Sequence, residues 1–143
     1  MFDPAAEARR WWTQALDDRV FVHYLARERC FFDKGCFIAQ QAGEKALRAC
    51  LYAEGRREVL GHALVEFVRD LSQRESAFAA ITNHTARLDR YYILARYPNG
   101  LPGGTPFETY TAQDLSAAVE DMDAVFAVVE RFLGARGCQR KSV

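Results

Sequence analysis

The segment Cys36 to Tyr52 reads CFIAQQAGEKALRACLY, and no other stretch limits the fold so tightly. Wound at 3.6 residues per turn, it is apolar or small almost all the way round. The exception is a narrow polar stripe of Gln41, Glu44, Lys45, Arg48 and Tyr52, at i, i+3, i+4, i+7 and i+11. A helix so apolar on its other sides belongs in the middle of a bundle, because a surface helix would present a broad polar half to water. Its polar side chains then meet either polar groups of neighbouring helices or a bound molecule. Acceptors and donors alternate along the stripe, which suits an internal ion-pair network and a ligand site equally well.

The chain has 143 residues, enough for one domain with a real core and too few for two of ordinary size. Lys plus Arg and Asp plus Glu number 19 each, so net charge gives no global argument for nucleic acid or membrane. From Arg131 to the C-terminus there are three arginines and one lysine but no Asp or Glu side chain. The expected division is therefore a helical bundle over 1–135 and a basic tail over 136–143. Cys30, Cys36, Cys50 and Cys138 form no Cys-x-x-Cys pair and have no His at ligand spacing. They suggest neither a zinc site nor a disulfide framework, and no metal or cofactor is expected. No secretory leader is recognised after Met1, and no apolar run reaches membrane-spanning length, so a cytoplasmic protein with no membrane role is expected.

Five helical segments are predicted. The first opens at Asp3-Pro4 and runs to about Arg27, with Trp12, Ala15, Leu16, Val22 and Leu25 as core contacts. The second spans about Phe32 to Glu54 and stops at Gly55. The third follows Gly61-His62 and carries Leu64, Phe67, Val68 and Leu71 on one side. A fourth runs from about Glu75 to Arg96 with Ala77, Ala80, Ile81, His84, Leu88, Tyr91 and Tyr92 in register, ending at Tyr97-Pro98. After a Pro- and Gly-rich link, the fifth begins at a Thr111-Ala-Gln-Asp114 capping box. Its stripe includes Leu115, Ala118, Met122, Val125, Phe126, Val129, Phe132 and Leu133. The predicted fold is all-α, an antiparallel up-and-down bundle of four to five helices.

Polar residues outside the stripe complete the set of candidates. His62 stands at the start of the third helix, with Arg57 four intervening residues upstream. Such a pair suits metal-independent RNA cleavage, the His moving a proton and the Arg stabilising charge on phosphorus. Equally, His62 fixes a turn and Arg57 is a solvated linker residue. Asp89, Tyr92 and Arg96 form a second series at i, i+3 and i+7, followed by Tyr97. Aromatic rings beside an arginine suit stacking on a base and holding a phosphate, and they suit clamping the following loop. His84 falls on the apolar stripe as a hydrogen-bonded core or interface residue, and His23 carries no separate signal. Trp11 and Trp12 cannot face one core together.

Taken together, the chain resembles the HEPN family (higher eukaryotes and prokaryotes nucleotide-binding domain). The likeness rests on Trp12-Thr-Gln-Ala15-Leu-Asp-Asp18, on Ala39-Gln-Gln-Ala-Gly-Glu-Lys-Ala-Leu-Arg-Ala49, on Gly61-His62-Ala-Leu64, and on Leu88-Asp89-Arg-Tyr-Tyr92-Ile93 leading into Ala95-Arg96-Tyr97-Pro98-Asn99. The resemblance implies a helical bundle, commonly a homodimer, paired with a minimal nucleotidyltransferase in a toxin–antitoxin-like system. It implies nucleotide or RNA binding by Gln41, Glu44, Lys45, Arg48, His62, Asp89, Tyr92, Arg96 and Tyr97, converging on one cleft. Ribonuclease relatives use an Arg-x4–6-His motif, and Arg57-Glu58-Val-Leu-Gly-His62 has that spacing. That motif is expected near the fourth helix, where this chain has Leu88-Asp89-Arg-Tyr-Tyr92. The resemblance therefore favours a non-catalytic binding protein, with an endoribonuclease through Arg57 and His62, or a purely structural partner, as the alternatives.

Overall fold

Helix α1 (Pro4–Glu28) begins where the Asp3 carboxylate accepts the Ala6 N–H at 3.1 Å, with Pro4 in the first turn. It ends at Arg29, whose φ of 58° is left-handed, and Phe31 repeats that conformation at φ 51°. Two non-glycine residues in this region, each costing on the order of 1 kcal/mol, turn the chain back within three residues. Helix α2 (Phe32–Ala53) then returns along α1. The computed structural model describes residues 1–138; the remaining part of the expected basic tail, 139–143, lies outside the described residues.

Five further helices follow: α3 (Leu64–Ser72), α4 (Thr82–Asp89), α5 (Tyr91–Leu94), α6 (Pro106–Thr109) and α7 (Ala112–Ala135). Helix α2 packs against every one of the other six, so it is enclosed as its composition demands. Cys36, Ala39, Ala42, Ala46, Leu47, Ala49 and Cys50 are all completely buried on it. Small residues let neighbours approach closely. A Cβ at Gly43 would lie 2.8 Å from Leu64 Cδ2, inside contact distance, so glycine there seats α3 against α2. Helix α7 closes the other side with Leu115, Ala118, Met122, Val125, Val129 and Leu133 buried at 0–1% exposure. Its capping box is formed in both directions between Thr111 and Asp114.

The expected fourth helix over 75–96 is corrected. Ser76–Ile81 is a 3-10 segment, α4 ends at Asp89, and α5 is a separate short turn. In a three-residue period i and i+3 share a face, and here that face carries Phe78 and Ile81, both buried. The α-helical register had placed Ala77 and Ala80 inward, and both are exposed. At the break Arg90 N–H bonds to the Arg87 carbonyl three residues back, tightening the chain out of the α pattern. On α1, Trp12, Ala15, Val22 and Leu25 are buried as expected, while Leu16 is half-buried. Trp11 turns aside, donates to Glu7 and stacks on Tyr52 at 5.7 Å.

Candidate functional site

Most of the α2 stripe closes on itself beneath the α2–α3 link. Glu44 and Arg48 are only 6% and 7% exposed. Arg48 Nε donates to Glu44 at 3.1 Å, Nη1 donates to the Val59 carbonyl at 2.7 Å, and Nη2 donates to the Gly61 carbonyl. The same guanidinium lies over the rings of Trp11 (5.4 Å) and Phe67 (5.3 Å). Gln40, fully buried, donates to the His62 carbonyl at 3.4 Å and accepts from Gln41 at 2.7 Å. Gln40 was absent from the sequence stripe, yet it is the buried amide that ties that stripe to the link. Lys45 leaves the group and pairs with Asp18 of α1. Tyr52 is spent against Trp11.

Asp89 does different work again. Its two oxygens accept the N–H groups of Leu64 (2.8 Å) and Val65 (3.1 Å), the first turn of α3. A carboxylate borrowed from α4 thus caps a helix that has no cap of its own. Burial raises the Asp89 carboxyl above its ordinary value, and the two N–H bonds pull it back only in part. The 89–97 series is expected to clamp the Pro/Gly link, but what Asp89 holds is the start of α3.

His62, Tyr92, Arg96 and Tyr97 do come together. The His62 ring is 57% exposed, with Nδ1 at 3.3 Å from Glu44, and stacks on Tyr92 at 5.2 Å and 18°. Arg96 is exposed, its guanidinium 4.5 Å from the Phe37 ring, 4.8 Å from Tyr92 and 5.1 Å from Tyr97. Its Nε donates to the Tyr92 carbonyl at 2.7 Å. Among the described residues its two terminal nitrogens have no hydrogen-bond partner and no carboxylate pairs with it. The nine candidate residues thus divide between a closed network, an ion pair with α1, a helix cap and an open ridge, and no single cleft gathers them. Phe37, on α2 and far away in sequence, completes the ridge and was not among the candidates.

Arg57 and His62 are not joined. The Arg57 guanidinium sits 5.3 Å over the Phe2 ring, and among the described residues no hydrogen bond links it to His62. The other histidines each meet an aspartate of α7. His23 and Arg19 both reach Asp123 at 2.9 Å. His84 Nδ1 lies 2.7 Å from the buried Asp121, which also receives Arg87. A signal for Asp121 was present in the sequence: it stands three residues after Ala118 and four before Val125, inside an apolar stripe. A depression of about 850 Å³ lies along α1 and is open to solvent. Of the candidates it includes only Lys45; that lysine and its neighbour Arg10 are already paired, with Asp18 and Glu7.

Cys36 and Cys50 offer no nucleophile. Burial first, then the charges of Asp114 and Asp33, pushes Cys36 up to about 12, and burial raises Cys50 as well. Among the described residues no cluster of His, Cys, Asp and Glu is arranged to hold a metal ion, and no helix is long and apolar enough to cross a membrane.

Architecture and surface together define an all-helical bundle protein, built around an enclosed α2 and presenting an arginine among aromatic rings. The chain belongs to the HEPN family: the model of the HEPN domain matches residues 8–132. Two crystal structures are similar to it. One is TT1696 from Thermus thermophilus, at 29% identity and a TM-score of 0.82, covering 89% of this chain and 98% of that one. The other is ST0689, an archaeal HEPN homologue, at 25% identity and a TM-score of 0.69, covering 91% and 98%. No curated protein matches the chain significantly.

Proposed function

We propose that this HEPN protein is a nucleotide- or RNA-binding module whose contact surface is the ridge of His62, Tyr92, Arg96 and Tyr97. One observation carries the reading: Arg96 is held against three rings with its terminal nitrogens free. A fixed guanidinium beside stackable rings is the chemistry that takes a phosphate and an adjoining base. Glu44, Arg48 and Gln40 serve this surface indirectly, by fixing the link that carries His62.

A nucleotidyltransferase partner and a homodimer, both implied by the family resemblance, belong to the same proposal. Val20, Phe21 and Tyr24 on α1 are 68%, 47% and 48% exposed and provide an apolar face for such an association. The test is fluorescence anisotropy with a labelled single-stranded RNA at low salt. Binding that weakens at least about tenfold in Tyr97→Ala supports the ridge. Absence of binding to any RNA or nucleotide overturns it.

The endoribonuclease reading draws on one feature, a histidine exposed on one side and facing a carboxylate on the other. It requires Arg57 to leave Phe2. An RNA cleavage assay without Mg²⁺, comparing wild type with His62→Ala, separates it from simple binding. Cleavage equal in both, or absent in both, removes it.

A further inference from the structure

Next to Arg96, the segment 98–107 folds over the start of α2 and leaves a cavity of about 350 Å³. That volume is at the small end of the range for small-molecule sites. Asp33, Lys34, Phe37, Arg96, Pro106 and Phe107 are among its walls. The Asp33 side chain is 6% exposed, and its Oδ2 lies 3.1 Å from Lys34 Nζ. Its Oδ1 is buried and has no hydrogen-bond partner among the described residues, the one such side-chain atom found in them. A buried acceptor left without a donor costs roughly 1–3 kcal/mol. Asp33 is part of the cavity wall, and a turn of its carboxylate toward the cavity would let an entering donor recover that cost.

The rest of the lining narrows what that donor belongs to. Phe37, Phe107 and Pro106 offer flat apolar surface. Lys34 Nζ stands 5.3 Å from the Phe107 ring and 5.8 Å from Phe31, while Arg96 lies 4.5 Å from Phe37. Phe31 itself is strained at φ 51°, and strain of this kind gathers at sites where geometry must be held. An acceptor on the wall, aromatic faces beside it and two cations nearby suit a planar heterocycle that bears an amine and is joined to an anion.

We infer that the cavity takes an amino-bearing nucleobase, cytosine, guanine or adenine, whose exocyclic amine donates to Asp33 while its phosphate meets Arg96 and Lys34. Uracil presents a carbonyl oxygen where cytosine presents its amine, and an acceptor facing a carboxylate is rejected. This inference rests on the nucleotide reading above and narrows it to one end of the ridge and one kind of base.

The test is isothermal titration of the full chain with CMP against UMP and with GMP against IMP, which lacks the 2-amino group. Wild type binds CMP and GMP at least about tenfold more tightly than UMP and IMP. Asp33→Asn brings CMP and UMP to within about twofold, because the amide can turn a donor toward the uracil carbonyl. Equal affinities in wild type, or a preference for CMP over UMP unchanged in Asp33→Asn, overturn the inference. Phe107 is 66% exposed, so Phe107→Glu leaves the core intact even if Asp33→Asn fails to fold. It sets a negative charge beside the bound phosphate, and all four affinities fall at least about tenfold. Unchanged affinities in that variant also overturn the assignment. Binding lost in Arg96→Ala with no preference among bases leaves the ridge standing and removes the cavity; no binding of any nucleotide or RNA removes both.

Discussion

Arg48 and Arg96 both rest their guanidinium groups on aromatic rings, at 5.3–5.4 Å for Arg48 and 4.5–5.1 Å for Arg96, yet they end in opposite situations. Arg48 is buried and gives its donors to a carboxylate and two backbone carbonyls. Arg96 is exposed and gives one donor to a carbonyl of its own helical turn. An arginine on aromatic rings is therefore not a functional signal by itself. What separates structural from binding chemistry is whether the guanidinium still has donors to spend.

The strongest way to break this contrast is to remove the inner arginine. Arg48→Ala leaves Glu44 buried without its cation and frees the Val59 and Gly61 carbonyls, so urea unfolding should register a loss of about 3–5 kcal/mol. A loss below about 1 kcal/mol, the range of an exposed pair, would mean that the two arginines differ only in position. The outer arginine gives the complementary result. Arg96→Ala should cost at least about tenfold in RNA or nucleotide affinity while folding stability stays within about 1 kcal/mol of wild type. Were stability to fall as far as in Arg48→Ala, the ridge would count as core.

A third arrangement sharpens the scale with a smaller effect. Asp70 receives Arg56 and Arg74, both at 2.6 Å and both partly exposed. The Arg56 hydrogen bond, more than that of Arg74, holds its carboxyl below the ordinary value, with burial opposing. An acid whose value is depressed on folding stabilises the protein above its unfolded value, about 3.9, and that contribution disappears as pH falls through the lower folded value. Denaturant unfolding between about pH 5 and 2 should therefore show a shallower acid-side loss in Asp70→Asn than in wild type. Identical slopes would mean that exposed arginine pairs add nothing here.

The enclosure of α2 was legible because it needs only a circumference of small and apolar residues, and the α7 cap because it is local. The 75–96 region was misread for a physical reason. Ala77, Ala80, Ile81 and His84 do fit an α period, but burying Phe78 with Ile81 selects the tighter 3-10 turn, and only tertiary packing makes that choice. At the site, Tyr92, Arg96 and Tyr97 were visible as neighbours on one turn. Phe37, Phe107 and Asp33 come from other elements and carry no spacing that ties them to Arg96. Asp89 illustrates the converse: it was noticed as polar, but its target, the start of α3, lies 24–25 residues away.

The anchoring of the Val59 and Gly61 carbonyls on one interior guanidinium has a consequence for motion. The link between α2 and α3 is irregular backbone, the kind of segment that ordinarily frays on its own. Here, lifting it means stranding a charge in a dry interior, so the link and the core open together as one cooperative unit. In native-state hydrogen exchange, amides flanking His62 that depend on this anchoring would then share the slow exchange of α2.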